Sequence, residues 1–255
     1  MLLAADIGNT QVKLGVFEGE ELAARWRFAT DSARLADEYA VLITNLLAMS
    51  GLERSRVSGG VFASVVPALA PVFEELFSRH FGVQALRVGV GVRTGMRIHY
   101  EPRELGPDRI AVALGALRLH KPPLIVVHLG TGTVFEAVSR DGEYLGGAIA
   151  PGIAVATDAL AGRAAMLQSI ELRPPKRAIG SNTVAAMQSG IIFGYAEMIE
   201  GMVRRFKQEV GEDAWVVATG GWAPLMNELT RCFDRVDEDL SLHGLRILYE
   251  LNEGP

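Results

Sequence analysis

Apolar positions in this chain change their spacing repeatedly, and each change marks an element. Leu2 to Ala5 is a continuous apolar run that stops at Asp6-Ile7-Gly8-Asn9-Thr10, so it reads as a buried strand ending in a turn. With the alternating segments after it, the spacing predicts strands over 2–6, 11–17 and 22–28. From Asp31, Leu35, Tyr39, Leu42, Ile43, Leu46 and Leu47 recur at helical spacing, which predicts a packing helix opened by Asp31. Gly60 to Val66 is a second buried-strand run, halted by Pro67 and followed by a helix over 68–80 and a strand over 84–90. The pattern dissolves into a loop from Arg93 to Pro107. It resumes as a helix with Ile110, Ala113, Leu114 and Leu117 on its buried side, ended by Lys121-Pro122-Pro123. Beyond a further strand from Leu124 to Leu129 and its hairpin, Gly146 to Ile153 reads as a glycine-rich apolar loop, followed by a helix over 155–166 and a polar connection over 169–180. Ser181-Asn182-Thr183 supplies cap residues for a long helix reaching about Val210. A strand from Trp215 ends in Gly220-Gly221, and helices over 222–231 and 241–251 complete the chain. Strands alternating with helices imply an α/β fold.

The second strand-and-turn repeats the first at a distance of 122 positions. Leu124 to Thr133 follows the grammar of Leu2 to Thr10, with Gly8 falling on Gly130, Val16 on Val138, and Glu18-Gly19-Glu20-Glu21 near Asp141-Gly142-Glu143. Two related halves are the simplest account, one over 1–120 and the other over 121–255. The echo breaks at one position, where Asp6 corresponds to His128.

Composition narrows the classes. With 255 residues, 49% hydrophobic and 22% charged, the chain can build a sizeable core, and a formal charge of −5 argues against a general nucleic-acid surface. Met1 to Ala5 is too short and lacks the basic leader of a signal peptide, and no later apolar run is long enough to span a membrane. The expectation is a cytoplasmic protein with neither nucleic acid nor membrane as partner. Cys232, the one cysteine, cannot form an internal disulfide and reads as an inert thiol.

Several positions carry candidate chemistry. Gly8 lets backbone approach a polyanion, Asn9 and Thr10 offer hydrogen bonds, Asp6 can hold a hydrated divalent cation, and Lys13 adds positive charge. A tight hairpin would use the same letters to satisfy its own turn. Asp108 stands at a helix start, where it fits both a cap and a general base partnered by Arg109. Gly220 and Gly221 suit the passage of a flat base or a plain turn. Ala186, Gly190 and Gly194 form a smooth helical stripe, open to dimerisation or to internal packing.

Taken together, these stretches resemble the type III pantothenate kinases, within the superfamily of sugar kinases, actin and heat-shock protein ATPases. The resemblance runs from Met1 to about Asn252. It is carried by Asp6-x-Gly8-Asn9-Thr10 with Lys13, Gly106-Pro107-Asp108-Arg109, Gly130-Thr131 with Thr133, Leu145 to Gly152, Asn182 to Gly190, and Thr219-Gly220-Gly221. It implies two duplicated ribonuclease-H-like, actin-like ATPase halves with a nucleotide cleft between them. The implied reaction is ATP-dependent phosphorylation of pantothenate to 4'-phosphopantothenate, the first step of coenzyme A synthesis, by a homodimer using Mg2+ or another divalent cation and K+ or NH4+. Asp6 is then the metal-organising carboxylate. Gly8, Asn9, Thr10 and Lys13 form one phosphate contact, and Gly130, Thr131 and Thr133 the other. Asp108 is the general base, Gly106, Pro107, Arg109 and Tyr100 hold pantothenate together with Thr183 of the partner subunit, and Gly220 and Gly221 border the adenine.

In two places the chain departs from the family pattern. His128 stands where the family has an aspartate opening the second phosphate loop, and Glu136 stands where it usually has another, three residues after Thr133. Hard cations prefer oxygen ligands, so His128 weakens cation placement, while Glu136 keeps a carboxylate. A nucleotide-binding or regulatory homologue with impaired activity, or another small-alcohol phosphotransferase, are the alternatives this leaves.

Overall fold

Strand β1 (Leu2–Ile7) lies at the middle of a five-stranded sheet, with every residue from Leu3 to Ile7 buried. The computed structural model describes residues 1–164 and 166–253. In it β1 pairs antiparallel with β2 (Gln11–Glu18), β2 with β3 (Glu21–Ala29), and β1 parallel with β4 (Gly59–Ser64), which β5 (Leu86–Arg87) flanks. Helices α1 (Ala36–Met49) and α2 (Leu69–Glu75) cover one face through Leu3, Ala5, Ile7, Tyr39, Ile43, Leu47 and Phe73. A tighter-packed aromatic series, Tyr39 to Phe73 at 5.0 Å and Phe73 to Phe62 at 6.2 Å, runs through this core. The α2 backbone continues as a π-helical segment from Leu76 to Phe81, closed by Gly82 in the left-handed region at φ 69.

The second sheet is built from β6 (Leu124–Leu129), β7 (Gly132–Val138), β8 (Tyr144–Pro151), β9 (Trp215–Thr219) and β10 (Arg235–Val236). Its order, β10-β9-β6-β7-β8, matches β5-β4-β1-β2-β3 strand for strand, so the two halves share one topology, as the sequence echo implies. The echo is imperfect at the turn. Ile7 pairs with Val12, but Leu129 pairs with Thr133, so the second turn is one residue shorter and Val16 answers to Ala137 rather than to Val138. Helices α4 (Ile153–Arg163), α5 (Thr183–Val210) and α6 (Ala223–Leu229) belong to this half, and Ile192, Ile199 and Val203 of α5 pack on Ile125, Val127 and Phe135. As its sequence predicts, Asn182 caps α5, its Oδ1 accepting from the Ala185 amide at 2.9 Å.

Some expectations change. Asp31 does not open α1. Its Oδ1 accepts from the Ala33 amide at 3.0 Å and its carbonyl from the Tyr39 hydroxyl at 2.9 Å, closing a turn, and the helix starts only at Ala36, where Glu38 accepts from the Leu35 amide at 2.8 Å. The glycine-rich stretch at 146–153 is a strand for most of its length. β8 pairs with β7, and a Cβ at Gly147 would overlap the Phe135 carbonyl oxygen, so the glycine is there for backbone approach within the sheet. The helix expected over 155–166 starts two residues earlier, at Ile153, and runs to Arg163; Ala165 lies outside the described residues. The strand expected over 84–90 shrinks to Leu86–Arg87.

The chain divides into Met1–Arg118 with Asp239–Pro255, and Leu119–Glu238. The last helix, α7 (Leu240–Glu253), packs with Met1–Arg118. Leu242 lies against Gly15 of β2, Arg246 over the Phe17 ring at 5.9 Å, and Asn252 exchanges hydrogen bonds with the backbone of Arg93 at 2.9 Å each. The remaining helix, α3 (Pro107–Leu119), is buried at every residue from Arg109 to Ala116. Among the described residues no helix is long and apolar enough to cross a membrane.

Phe73→Ala removes a fully buried ring between Tyr39 and Phe62 and is expected to cost about 3–5 kcal/mol in urea denaturation, whereas Met49→Ala, at an exposed position, stays within about 0.5 kcal/mol.

Candidate active site

In the first unit the turn after β1 is tied down from behind. The Gly8 amide donates to the Gln11 carbonyl at 3.0 Å, the Thr30 hydroxyl donates to the Gly8 carbonyl at 2.6 Å, and the Thr30 amide donates to the Thr10 carbonyl at 3.0 Å. Asn9 and Thr10 are left at the exposed tip. The Gly8 N–H is therefore used inside the hairpin, and Asn9 and Thr10 are the exposed residues of the turn. Thr30 was invisible as a site residue in the sequence, since it is distant and unremarkable in its own segment. Lys13 stands opposite Asp6 in the β1–β2 register, placing the cation beside the one carboxylate of β1.

Asp6 is 6% exposed and shares the sheet face of Ala4, the face on which Leu242 of α7 meets Gly15. Asp108, on the first turn of α3, lies within its field. Burial, and next the negative charge of Asp6, push the Asp108 carboxyl from the ordinary carboxylate range up to about 6, although the backbone amides of Arg109 and Asp108 donate to it and pull the other way. The shift has a sign for stability. Protonation relieves both the burial and the repulsion, so this carboxyl stabilises the fold at acid pH, and the contribution is lost as pH rises from about 4 through about 6. A Cβ at Gly106 would fall 2.5 Å from Asp108 Oδ1, which explains the glycine two residues before the carboxylate. Arg109 is 8% exposed and its guanidinium stands over the Tyr100 ring at 5.0 Å, so the arginine and tyrosine named from the sequence do come together.

In the second unit the corresponding turn closes with the Gly130 amide donating to the Gly132 carbonyl at 2.9 Å, leaving Thr131 exposed. The start of α4 is pressed against it: the Gly152 amide donates to the Thr131 carbonyl at 3.0 Å, and a Cβ at Gly152 would overlap the carbonyl oxygens of Gly130 and Thr131. Thr133 Oγ1 and Thr219 Oγ1 are both fully buried and lack a hydrogen-bond partner, an expensive state for a hydroxyl. The His128 imidazole is seated between two glycines. A Cβ at Gly130 would come 3.3 Å from its Nε2, and one at Gly220 would come 2.9 Å from its Cδ2. Gly220, at φ 97, is demanded by that approach and by the Leu129 carbonyl, while Gly221 is exposed with open space around it, so the two glycines read together from the sequence do different things. Thr183 is exposed at the start of α5. Burial raises the Cys232 thiol to about 11, which disfavours the thiolate.

The cation expectations divide. Mg2+ that travels with a nucleotide needs only one or two carboxylates besides water and phosphate oxygens. Asp6, with Asp108 close enough to feel its charge, fits that requirement. A protein-built site is another matter: among the described residues no three His, Cys, Asp or Glu side chains are grouped to hold a metal. Glu136 is 1% exposed and its Oε1 accepts from the Tyr144 hydroxyl at 3.0 Å, because its strand position carries it into the interior. The Glu136 carboxylate is thus engaged with Tyr144 inside the unit, and His128 offers nitrogen where a hard cation favours oxygen.

Comparison with known proteins agrees with this geometry. The family description "Type III pantothenate kinase" matches residues 2–205. A type III pantothenate kinase of Moorella thermoacetica is 51% identical over 99% of this chain and 100% of its own length. Among solved structures, a Campylobacter jejuni protein described as a Baf family transcriptional activator superposes with a TM-score of 0.63 at 17% identity over 97% of each chain. The activator of 2-hydroxyisocaproyl-CoA dehydratase from Clostridium difficile, solved with bound ADPNP, superposes with a TM-score of 0.54 at 12% identity over 99% of this chain and 95% of that one. The two structural likenesses speak for the fold of paired halves; the near-complete match in sequence settles the family, and this chain belongs to the type III pantothenate kinases.

Proposed function

We propose that Asp108 is the general base of ATP-dependent pantothenate phosphorylation, the family's reaction and the first step of coenzyme A synthesis. The observation that carries this is the carboxyl itself: it stands at the start of a buried helix, in the field of Asp6, with its proton affinity raised to about 6. A base poised there is ionised at neutral pH yet able to take a proton as it is released. The pantothenate hydroxyl oxygen forms the new bond to the γ-phosphorus, the bond from that phosphorus to the bridging oxygen breaks, ADP leaves, and the hydroxyl proton passes to Asp108. Arg109, braced on Tyr100, faces the substrate carboxylate. In the first unit the outward groups of Asn9 and Thr10, with Lys13, are assigned to phosphate; in the second the exposed Thr131 is assigned to phosphate and Gly221 to the adenine. A divalent cation held through Asp6 would neutralise charge on the transferred group.

The protein works as a homodimer in this reading, with Thr183 reaching the partner's substrate. Ala186, Gly190 and Gly194 are all exposed along α5, and the two glycines have open space where a side chain would stand, which leaves the stripe free for a second copy. Potassium or ammonium is the monovalent partner of the family; His128 argues that it binds here without a side-chain carboxylate at that position.

Asp108→Asn is expected to lower pantothenate-dependent ADP release by about 10²–10⁴-fold while ATP binding, followed by fluorescence of a nucleotide analogue, persists. In the wild type kcat/KM should rise with pH along a limb near 6, and a profile flat from pH 5 to 7 would refute the assignment. His128→Asp is expected to raise kcat or lower the K+ requirement by up to about a hundredfold, read in a cation titration; an unchanged titration marks the position as structural. Sedimentation should give a dimer at micromolar concentration for the wild type, and Gly190→Arg should yield monomer with reduced turnover.

A further inference from the structure

Helices α3 and α7 meet backbone to backbone at two glycines. Ala111 and Gly115 stand one turn apart on α3, and Leu240 and Gly244 one turn apart on α7. A Cβ built on Gly244 would overlap the Ala111 carbonyl oxygen, and one built on Gly115 would overlap the Leu240 carbonyl oxygen. Each glycine therefore presses on the other helix's backbone, and the contact is reciprocal. Its stiffness differs from ordinary core packing, because backbone atoms inside a helix cannot rotate away as a side chain can.

The two helices also carry the chemistry between them. Ala111 is three residues from Asp108, about 4.5 Å along a helix axis, so the contact lies within one turn of the carboxylate. On its other side α7 rests on the sheet that bears Asp6: Leu242 lies 3.0 Å from where a Cβ of Gly15 would be, and Gly15 pairs with Ala4, two residues before Asp6. The C-terminal helix is thus a spacer between the strand with one carboxylate and the helix with the other.

We propose that Gly115 and Gly244 are positioning residues for the phosphoryl transfer, their glycine-on-backbone contact setting the depth at which α3 delivers Asp108 beside Asp6. Any β-carbon at either position must push α3 off α7 and carry Asp108 with it. The proposal rests on Asp108 being the base. It concerns residues that touch no substrate: Gly115 on α3 itself, and Gly244 on a helix that begins at Leu240, 132 positions after the carboxylate.

The test compares Gly115→Ala and Gly244→Ala with Leu47→Ala, which opens a cavity in the core on the opposite face of the same sheet, all assayed well below their melting temperatures as folded protein. Misplacement of a reacting group by about an ångström can cost as much as 10²-fold, so each glycine variant is expected to lose about tenfold to a hundredfold in kcat. KM for ATP should stay within about twofold, and Leu47→Ala should keep its kcat. Each glycine change is then combined with Asp108→Asn. If the contact acts through the base, the glycine substitution lowers the residual rate of that background by less than about twofold, a non-additivity that general destabilisation does not produce. Effects that multiply, or glycine variants with the kcat of Leu47→Ala, overturn the proposal. Should neither glycine variant accumulate as folded protein, Leu242→Ala, which loosens the seat of α7 without a clash, is read by the same cycle and decides. Little effect of Asp108→Asn by itself would instead defeat the assignment of the base.

Discussion

Burial of β1 and β6 on both faces, each between a parallel and an antiparallel neighbour, is the constraint on which the site depends. A central strand of this kind has all its backbone groups paired and no room for polar side chains until its end, where the chain must turn back at once. Polar groups collect at that point because it is the first place the sheet allows them. In the first unit this yields Asp6 and the exposed tip of Asn9 and Thr10; in the second it yields His128 and Thr131. Both turns spend the glycine amide on their own closure, with Gly8 bonded to Gln11 and Gly130 to Gly132, so rigidity comes first and ligand contact falls to the neighbouring groups.

The second determinant is electrostatic. Placing Asp108 near Asp6 opposes its ionisation, and the fold tolerates this because α3 is buried from Arg109 to Ala116 and α7 over most of Leu240 to Leu248. The cost to stability falls on the ionised form of Asp108.

Duplication gave the two halves one strand order but not one chemistry. The second half has a shorter turn, an imidazole seated between Gly130 and Gly220, and Glu136 buried with its carboxylate on Tyr144. What it retains is backbone architecture: the Gly152 start of α4 pressed on the turn, and two buried hydroxyls, Thr133 and Thr219, with no partner inside the protein.

Much of this was legible in the chain before any coordinates. Leu2 to Ala5 and Leu124 to Val127 declare buried strands because every side chain is apolar, and the turn letters at their ends declare the halves, the repeat and the family. Local signals stop there. Gly146 to Pro151 read as a loop because small residues carry almost no alternation, and only its pairing with β7 makes it a strand. Nothing in residues 240–253 says which half their helix joins, since amphipathic spacing specifies that a face is buried but not against what. Thr30 behind the first turn, Asp108 in the field of Asp6, and Gly244 on the backbone of α3 are likewise facts of position between distant segments. By itself the sequence determined the strands, the duplication and the candidate residues, because those depend on neighbours in the chain; the tertiary structure alone decided which of them share an environment, because charge, burial and close approach depend on neighbours in space.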